Sequence, residues 1–323
     1  MIEQDNIFVT GGAGTLGKAI AERRKREKWE GKMTVYSTSP NKHAEMRTMY
    51  PDVQFIQGDI RNLELLKLAM VGHDIVIHAA AVKYIPEAES YSMDTYDVNV
   101  NGSQTVCQAA RETGMRNVLG ISTDKACHPA NAYGATKMLM EKIFQEYARA
   151  GGETLFQLVR YGNVLESVGS VIETWKNAVA QGKPVRITDR GDMTRFWLSP
   201  SQAVDVLLKG LRIPAGRIYI PKMPALRMEK LLDYMFHFTP ENFRLEEVPM
   251  RPGEKLHETL LTVEEADFAE EYTAKPDFFL LHPTTDKRIG LVTEAYASDT
   301  VPELTLDDFN ELMSEFIYAK SYS

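Results

Sequence analysis

The sequence predicts an α/β fold, in which a doubly wound parallel sheet is followed by a smaller α+β lobe. Short apolar runs rich in Val, Ile and Phe alternate with longer amphipathic segments over the first half of the 323 residues. A glycine-rich turn follows the first apolar run, and after Tyr161 prolines divide the chain into shorter elements. We therefore predict a first domain at 1–165 and a second lobe at 166–323, with 199–212 packing back on the first domain.

Six segments of the first half are predicted strands, because they alternate little between polar and apolar residues, as strands buried on both faces do. They are Ile7–Thr10, Met33–Ser37, Val53–Gln57, Asp74–His78, Val118–Ser122 and Leu155–Arg160. Helical patterns lie between them at Lys18–Lys28, Asn62–Val71, Val98–Thr113 and Ala132–Ala150. This alternating order predicts a parallel sheet with helices on both faces. Near the end of the chain, Thr305–Tyr318 predicts an amphipathic helix.

Composition limits the classes of function. The net charge of −8 argues against general binding to nucleic acid or to an anionic membrane surface. No stretch approaches the ~20 apolar residues of a membrane span, and the chain opens without the pattern of a secretory signal, so we expect a cytoplasmic protein. The two cysteines, Cys107 and Cys127, have neither disulfide-framework nor metal-ligand spacing. We predict no metal site.

The segment that follows the first strand predicts a phosphate-binding turn. It places glycines at 11, 14 and 17 and opens a helix, so the backbone turns tightly and the helix N-terminus offers unpaired N–H groups to a pyrophosphate. The alternative is an ordinary glycine-rich turn. The residues predicted to contact the cofactor here are Gly11, Gly14, Thr15, Leu16 and Gly17.

The end of the second strand indicates which dinucleotide binds. An Asp or Glu at this point hydrogen-bonds the ribose of NAD and repels a 2′-phosphate. The sequence instead has Ser37, Thr38 and Ser39, followed by Lys42. Hydroxyls with a nearby cation favour NADP, and NAD stays possible. The alternative is a solvated turn before Pro40.

The third and fourth strands add residues to the same crevice, because the carboxyl ends of parallel strands meet at one edge of a sheet. The residues predicted to line it are Asp59, Ile60, Ala79, Ala80 and Ala81. Asn99, in the following helix, is predicted to hold a water or a backbone group near the active-site lysine and is counted among the cofactor-binding residues. Its alternative is an amide on the helix surface.

Tyr133 and Lys137 are predicted to perform the proton transfer. They are four residues apart, so on a helix they share one face. A tyrosine with a pKa near 10 is a poor base at neutral pH, and a nearby ammonium together with a positively charged nicotinamide ring would lower that pKa. The pair can then take a hydroxyl proton while a hydride leaves. Thr123, Asp124 and Lys125, which leave the fifth strand, complete the predicted catalytic set.

With these motifs the chain resembles the extended short-chain dehydrogenases/reductases. Among them it is similar to the inverting UDP-N-acetylglucosamine 4,6-dehydratases of bacterial polysaccharide and flagellin-sugar biosynthesis. The resemblance implies a Rossmann domain, an NADP retained through the cycle, a UDP-sugar substrate and a homo-oligomer, either a dimer or a hexamer. The matching stretches are Ser122–Ala126, Asn131–Lys137, Val159–Val164, Met193–Trp197 and Arg251–Glu258.

The Asp124-Lys125 dipeptide distinguishes between reactions on this fold. Dehydration needs an acid for the departing C6 hydroxyl and a base for the C5 proton, and by the resemblance Asp124 supplies the acid and Lys125 the base. Sugar 4-epimerases of the superfamily usually carry small or hydroxyl residues there, so a UDP-sugar 4-epimerase is the second interpretation. A solvated surface pair and a non-catalytic dinucleotide sensor are the remaining alternatives.

Six residues are predicted on the substrate side of the crevice. Arg195 and Arg251 are candidates for the substrate diphosphate, because guanidinium groups fit phosphate oxygens. Either arginine could instead be a surface cation. The sequence departs from the family at Thr38, where an arginine is common, and at Tyr84, where a histidine is usual. The full predicted set is Lys83, Tyr84, Asn163, Arg195, Arg251 and Glu254.

Overall fold

The computed structural model describes residues 2–167, 169–189, 191–236, 244–273, 277–284 and 286–320, with side chains described to residue 314. The strands of the first half are β1 Ile7–Thr10, β2 Met33–Ser37, β3 Gln54–Gln57, β4 Ile75–His78, β5 Asn117–Thr123 and β6 Leu155–Tyr161. The later strands are β7 Asn163–Val164, β8 Val185–Ile187, β9 Thr194–Leu198, β10 Ile218–Pro221, β11 Ala225–Arg227, β12 Leu245–Glu247, β13 Thr259–Leu261, β14 Ala269–Tyr272, β15 Phe278–Leu281 and β16 Tyr296–Ala297.

The main sheet confirms the predicted fold class. Its strand order is β14-β15-β10-β6-β5-β4-β1-β2-β3. Every neighbouring pair from β10 to β3 is parallel, whereas β15 is antiparallel to both β10 and β14. The order β3-β2-β1-β4-β5-β6 is that of a doubly wound dinucleotide-binding sheet, in which the chain changes direction between β1 and β4. Ligands bind outside the carboxyl ends of the strands at this point.

Helices cover both faces of the sheet. They are α1 Thr15–Glu27, α2 Pro40–Met49, α3 Leu63–Met70, α4 Ile85–Ser90, α5 Ser92–Tyr96, α6 Gly102–Glu112, α7 Ala132–Arg149, α8 Val171–Ala180, α9 Pro200–Gly210, α10 Met228–Phe236, α11 Val263–Ala266 and α12 Leu306–Lys320. Short 3-10 helices span Ile2–Gln4 and Asp124–Ala126, and a π-helical turn spans Asp97–Asn101 directly before α6. Among the described residues, no helix is both long and apolar enough to cross a bilayer.

The first glycine turn is held by close backbone packing. Gly17 lies in the first turn of α1, and a Cβ built on it would lie only 1.8 Å from the carbonyl oxygen of Gly12. The absence of a side chain at this position therefore lets α1 approach the turn that follows β1. The third glycine of the motif packs the helix against the turn, which fits the role of the third glycine in dinucleotide-binding turns.

The chain after residue 165 contributes to both parts of the molecule. Strands β10, β14 and β15 extend the main sheet, so the division predicted at residue 165 does not coincide with an end of that sheet. Helix α9, within the predicted segment 199–212, contacts α1, where Nη1 of Arg23 bonds Oδ1 of Asp205 at 2.8 Å. A second apolar core lies apart from the main one and includes Leu165, Ile172, Trp175, Trp197, Leu231 and Phe309.

A fully buried arginine joins β6 to the later chain. The guanidinium of Arg160 bonds Glu141 on α7, with Nη2 2.6 Å from Oε2, and Glu265 on α11, with Nη1 2.8 Å from Oε2. It also donates to the carbonyl oxygen of Leu260 at 3.0 Å. The planar guanidinium thus satisfies two carboxylates that would be costly to bury alone.

Candidate active site

A cleft of about 1180 Å³ runs over the carboxyl ends of the parallel strands, at the point where the strand order changes direction. Gly11, Gly14, Thr15 and Leu16 line it at the start of α1. Gly11 has a φ of +66°, and a Cβ there would lie 2.6 Å from the Cα of Ala80. Gly14 provides no side chain to cap α1. The open turn and the helix N-terminus therefore fit the pyrophosphate of a dinucleotide.

The carboxyl end of β2 lines the cleft with hydroxyl groups and a cation. Ser37, Thr38, Ser39 and Lys42 all face it. The Ser37 hydroxyl is 2.6 Å from Nε2 of His43, which fixes that side chain. Helix α2 begins directly after these residues, at Pro40. A proline suits the first helical position because its missing N–H would have no partner there.

The end of β3 supplies a charge pair. Asp59 and Ile60 line the cleft as predicted, and so does Arg61, which the sequence analysis did not single out. The Arg61 guanidinium holds the Asp59 carboxylate, with Nη2 2.6 Å from Oδ2. Its hydrogen bond to Asp59 is the main reason that the pKa of Asp59 lies below its ordinary value. The Asp59 carboxylate is thus kept ionised, and Arg61 occupies part of its hydrogen-bonding capacity.

The loop after β4 is held by hydrogen bonds between its backbone and the buried side chain of Asn99. Ala79, Ala80 and Ala81 line the cleft, but Asn99 does not. Its Oδ1 accepts from the backbone N–H of Val82 at 2.8 Å, and its Nδ2 donates to Thr136 Oγ1 at 3.0 Å. The amide thus holds a backbone group, as one part of the prediction has it. It is buried and does not line the cleft, so it positions the loop and α7 and is not placed for the predicted cofactor contact.

Lys125 is the centre of the cluster of predicted catalytic residues. Its Nζ bonds Asp124 Oδ1 at 2.9 Å and Asn163 Oδ1 at 3.2 Å, and it lies 3.7 Å from Glu258 Oε1. Lys125, Asn163, Glu258 and Tyr133 all line the cleft. The predicted amine and phenol therefore meet at the carboxyl end of β5.

Asp124 lies behind this cluster. It is fully buried and does not line the cleft, unlike the sequence-based expectation that it faces the crevice. Its Oδ1 also accepts from Thr123 Oγ1 at 2.8 Å. Its Oδ2 is buried without a hydrogen-bond partner among the described residues. The 3-10 turn at Asp124–Ala126 turns the carboxylate inwards and leaves Lys125 at the cleft surface.

The electrostatic surroundings of Tyr133 differ from the prediction. Burial raises the pKa of the phenol to about 12, and the Asp124 charge adds to this. The opposing influences are the Lys125 charge and a hydrogen bond with Thr123. Lys137 Nζ lies 3.0 Å from Met140 Sδ. Burial lowers the pKa of Lys137 to about 8, so Lys125 is the cation that favours the phenolate.

All six residues predicted on the substrate side line the cleft: Lys83, Tyr84, Asn163, Arg195, Arg251 and Glu254. The two arginines differ in what they can bind. Arg195 is buried, and its Nη atoms donate to the carbonyl oxygens of Thr194, Lys255 and Leu256. Most of its donors are thereby occupied, so the structure does not favour Arg195 as a diphosphate ligand.

Arg251 is the more open of the two candidates. Its side chain is exposed at the cleft. Oε2 of Glu254 accepts from the backbone N–H of Arg251 at 2.9 Å, which closes the turn around Pro252. Glu254 therefore shapes the turn that carries Arg251. In the part of the chain that the structure describes, the guanidinium has no ion-pair partner and can approach an anionic group.

The segment that carries these residues is attached to the first domain. Nδ2 of Asn131 donates to the carbonyl oxygen of Gly253 at 2.9 Å, and Nζ of Lys255 donates to that of Cys127 at 2.6 Å. These bonds join the segment 251–258 to the loop between β5 and α7. They also place Glu258 beside Lys125. Sequence reasoning missed Glu258, although the Arg251–Glu258 motif that ends on it was the available signal.

The fold and the cleft together define a Rossmann-fold protein of the extended short-chain dehydrogenase/reductase class. The family model described as "Polysaccharide biosynthesis protein" matches residues 7–278. The chain belongs to this family, and the resemblance deduced from its motifs is confirmed.

Two curated relatives match almost the full length. The chain is 35% identical to a UDP-N-acetylglucosamine 4,6-dehydratase (inverting) of Campylobacter jejuni subsp. jejuni strain 81-176, over 94% of this chain and 95% of that protein. It is 33% identical to a UDP-glucose 4-epimerase of Rickettsia conorii, over 99% of this chain and 98% of that protein. The two names indicate different reactions, so identity alone does not choose between them.

Solved structures share the architecture. Pen from Bacillus thuringiensis superposes with a TM-score of 0.87 at 29% identity, covering 97% of each chain. DesIV, a dTDP-glucose 4,6-dehydratase from Streptomyces venezuelae solved with NAD and TYD bound, gives a TM-score of 0.68 at 21% identity, covering 78% of this chain and 86% of that one. The second match shows the shared fold.

Proposed function

We propose that the chain is a hydro-lyase that converts UDP-N-acetylglucosamine to a 4-keto-6-deoxy sugar with inversion at C5. The observation that carries this proposal is the pairing of Asp124 with Lys125 beside Tyr133. Moving a hydride needs one acid–base group, whereas dehydration needs a further base and a further acid. The Campylobacter relative, whose name describes this reaction, supports the choice.

The residues have separable tasks. A nicotinamide dinucleotide, when bound, supplies the hydride acceptor for C4 and the hydride donor for C6. Tyr133 takes the proton of the C4 hydroxyl. The resulting C4 ketone acidifies the C5–H bond, and Lys125 removes that proton. Asp124, which does not line the cleft, assists the loss of the C6 hydroxyl as water through its hydrogen bond to Lys125. Arg251 binds the diphosphate.

We predict that Asp124→Asn and Lys125→Ala each lower dehydratase turnover by about 10²-fold or more, the usual contribution of a positioned acid or base. The assay is incubation with UDP-N-acetylglucosamine, followed by NMR of C5 and C6 in the product. Lys142→Ala is the control, because that lysine bonds Thr284 at an exposed site outside the cleft. Full turnover in either Asp124 or Lys125 variant would contradict the assignment.

We also propose NADP as the cofactor, because hydroxyls and Lys42 line the cleft after β2 and no carboxylate follows that strand. Titration should show tighter binding of NADP than of NAD. Lys42→Ala should reduce this preference about 5-fold, as expected for one exposed ion pair of about 1 kcal/mol. Lys67→Ala, outside the cleft, should leave it unchanged. Equal affinity for both dinucleotides in the unaltered protein would overturn the assignment to NADP.

A UDP-sugar 4-epimerase is the second candidate, supported by the Rickettsia relatives that match the whole chain. An epimerase returns the hydride to C4 and releases no ketone. A 4-keto product, detected by its absorbance after alkali treatment, therefore separates the two reactions. Cytoplasmic location and assembly as a dimer or hexamer stay predictions.

A further inference from the structure

Glu258 is a buried carboxylate that faces the catalytic lysine. Only 4% of the residue is exposed, and Oε1 lies 3.7 Å from Lys125 Nζ. Oε2 has no hydrogen-bond partner among the described residues, and its nearest recorded cation is Lys255 Nζ at 3.9 Å. A buried carboxylate oxygen without a donor is costly unless it carries a proton. The surroundings of Glu258 therefore favour uptake of a proton by its carboxylate.

Lys125 needs such a partner if it is to act as a base. An ammonium has three donors and no lone pair, and the three oxygens around Nζ belong to Asp124, Asn163 and Glu258. Burial alone would lower the pKa of Lys125, but the charges of Asp124 and Glu258 outweigh it and raise the pKa. The resting amine is thus protonated and must lose a proton before it can attack C5–H.

The two carboxylates differ in their suitability as the acceptor. Oδ1 of Asp124 already receives hydrogen bonds from Thr123 and Lys125. Within the described part of the chain, Oε2 of Glu258 receives no hydrogen bond. Burial is the main cause that raises the pKa of Glu258 above its ordinary value. The other charges that face it are those of Arg195, with Nε 3.9 Å from Oε1, Lys255 and Asp124, and the Asp124 charge also raises the pKa of Glu258. The proton is therefore held more easily by Glu258.

We propose that Glu258 accepts the ammonium proton of Lys125 and so creates the neutral amine that removes the C5 proton. The N–H bond of Lys125 breaks and an O–H bond forms on Glu258, so an ion pair becomes a neutral pair without change in total charge. A small rotation of the lysine side chain shortens the 3.7 Å separation to hydrogen-bond length. Glu258 acts through Lys125 and is a positioning residue. This inference rests on the proposed dehydratase function.

The test measures two steps separately, with UDP-N-acetylglucosamine and the holoenzyme in D₂O. Oxidation at C4 is followed by the near-ultraviolet absorbance of the reduced nicotinamide, and exchange of the C5 hydrogen is followed by NMR. In Glu258→Gln we expect C5 exchange to fall about 100-fold at neutral pH, while oxidation at C4 continues and reduced nicotinamide accumulates. Glu258→Asp, which retains a carboxylate, should recover part of the exchange.

The pH profile separates this role from a structural one. Without the Glu258 charge the pKa of Lys125 falls, so C5 exchange in Glu258→Gln should recover as pH rises and solvent takes the lysine proton. Glu264→Gln is the matched control, because its carboxylate is exposed beside His128.

Unchanged C5 exchange in Glu258→Gln, or an equal loss of both steps without recovery at high pH, would overturn the role of Glu258 alone. Absence of both steps in the unaltered enzyme would instead overturn the proposed function, and this inference with it.

Discussion

Replacing Tyr133 with phenylalanine should lower kcat by about 10²- to 10⁴-fold, the range of a positioned general base. The substitution removes only the hydroxyl that takes the C4 proton, so the buried ring and the fold are retained. Loss of C4 oxidation also stops every later step, and no reduced nicotinamide should accumulate. This outcome is opposite to that expected for Glu258→Gln, in which oxidation continues. Turnover of UDP-N-acetylglucosamine, followed by NMR, measures the loss.

The pH dependence tests the same residue. Burial first, then the Asp124 charge, raises the pKa of Tyr133 to about 12. The phenolate fraction therefore increases with pH over the neutral and mildly alkaline range, and kcat/KM of the unaltered enzyme should rise with it. Tyr133→Phe should lack this rising limb. Tyr147→Phe, on the same helix but outside the cleft, is the control. An unchanged pH profile in Tyr133→Phe would exclude the phenol as the base.

Replacing Arg160 with methionine should lower the free energy of unfolding by about 3–5 kcal/mol, the usual cost of breaking a buried ion pair by removing one partner. Methionine fills much of the space but leaves the carboxylates of Glu141 and Glu265 without their cation. Urea unfolding measures the change. Arg288→Met is the control: its ion pair with Asp267 is highly exposed and should contribute about 1 kcal/mol or less.

The difference in the free energy of unfolding between Arg160→Met and the unaltered protein should become smaller at acidic pH. Burial would raise the pKa of Glu265, but the charge and hydrogen bonds of Arg160 outweigh it and hold the pKa below its ordinary value. A carboxylate with a depressed folded-state pKa stabilises the fold fully above its unfolded pKa of about 4.3. This contribution is lost as pH falls through the lower folded-state pKa. If the difference in unfolding free energy stays constant down to the folded-state pKa of Glu265, then lost packing, and not lost charge, explains the lower stability of Arg160→Met.

The sequence was sufficient for features that depend on local pattern. The buried strands were predicted because parallel strands covered on both faces read as apolar runs, and the glycine turn because its spacing directly follows the first strand. Helix α2 was missed, since its sequence has little amphipathic periodicity and its start at Pro40 resembled a turn.

Features that depend on distant parts of the chain were not predictable in this way. Glu258 lies 133 positions after Lys125 in the sequence, and only the folded chain places the two side chains together. The same applies to Arg195, which lines the cleft but whose guanidinium donates to backbone carbonyls. It applies again to the cation beside Tyr133, because spacing along one helix suggested Lys137 and tertiary packing supplied Lys125.

The attachment of the segment 251–258 to the loop before α7, through Asn131 and Lys255, limits how the enzyme can move. The segment 251–258 forms one side of the cleft, and it cannot move away from the loop before α7 without breaking both bonds. Outward movement of this segment to admit a bulkier sugar would therefore cost both hydrogen bonds, on the order of 1–3 kcal/mol each.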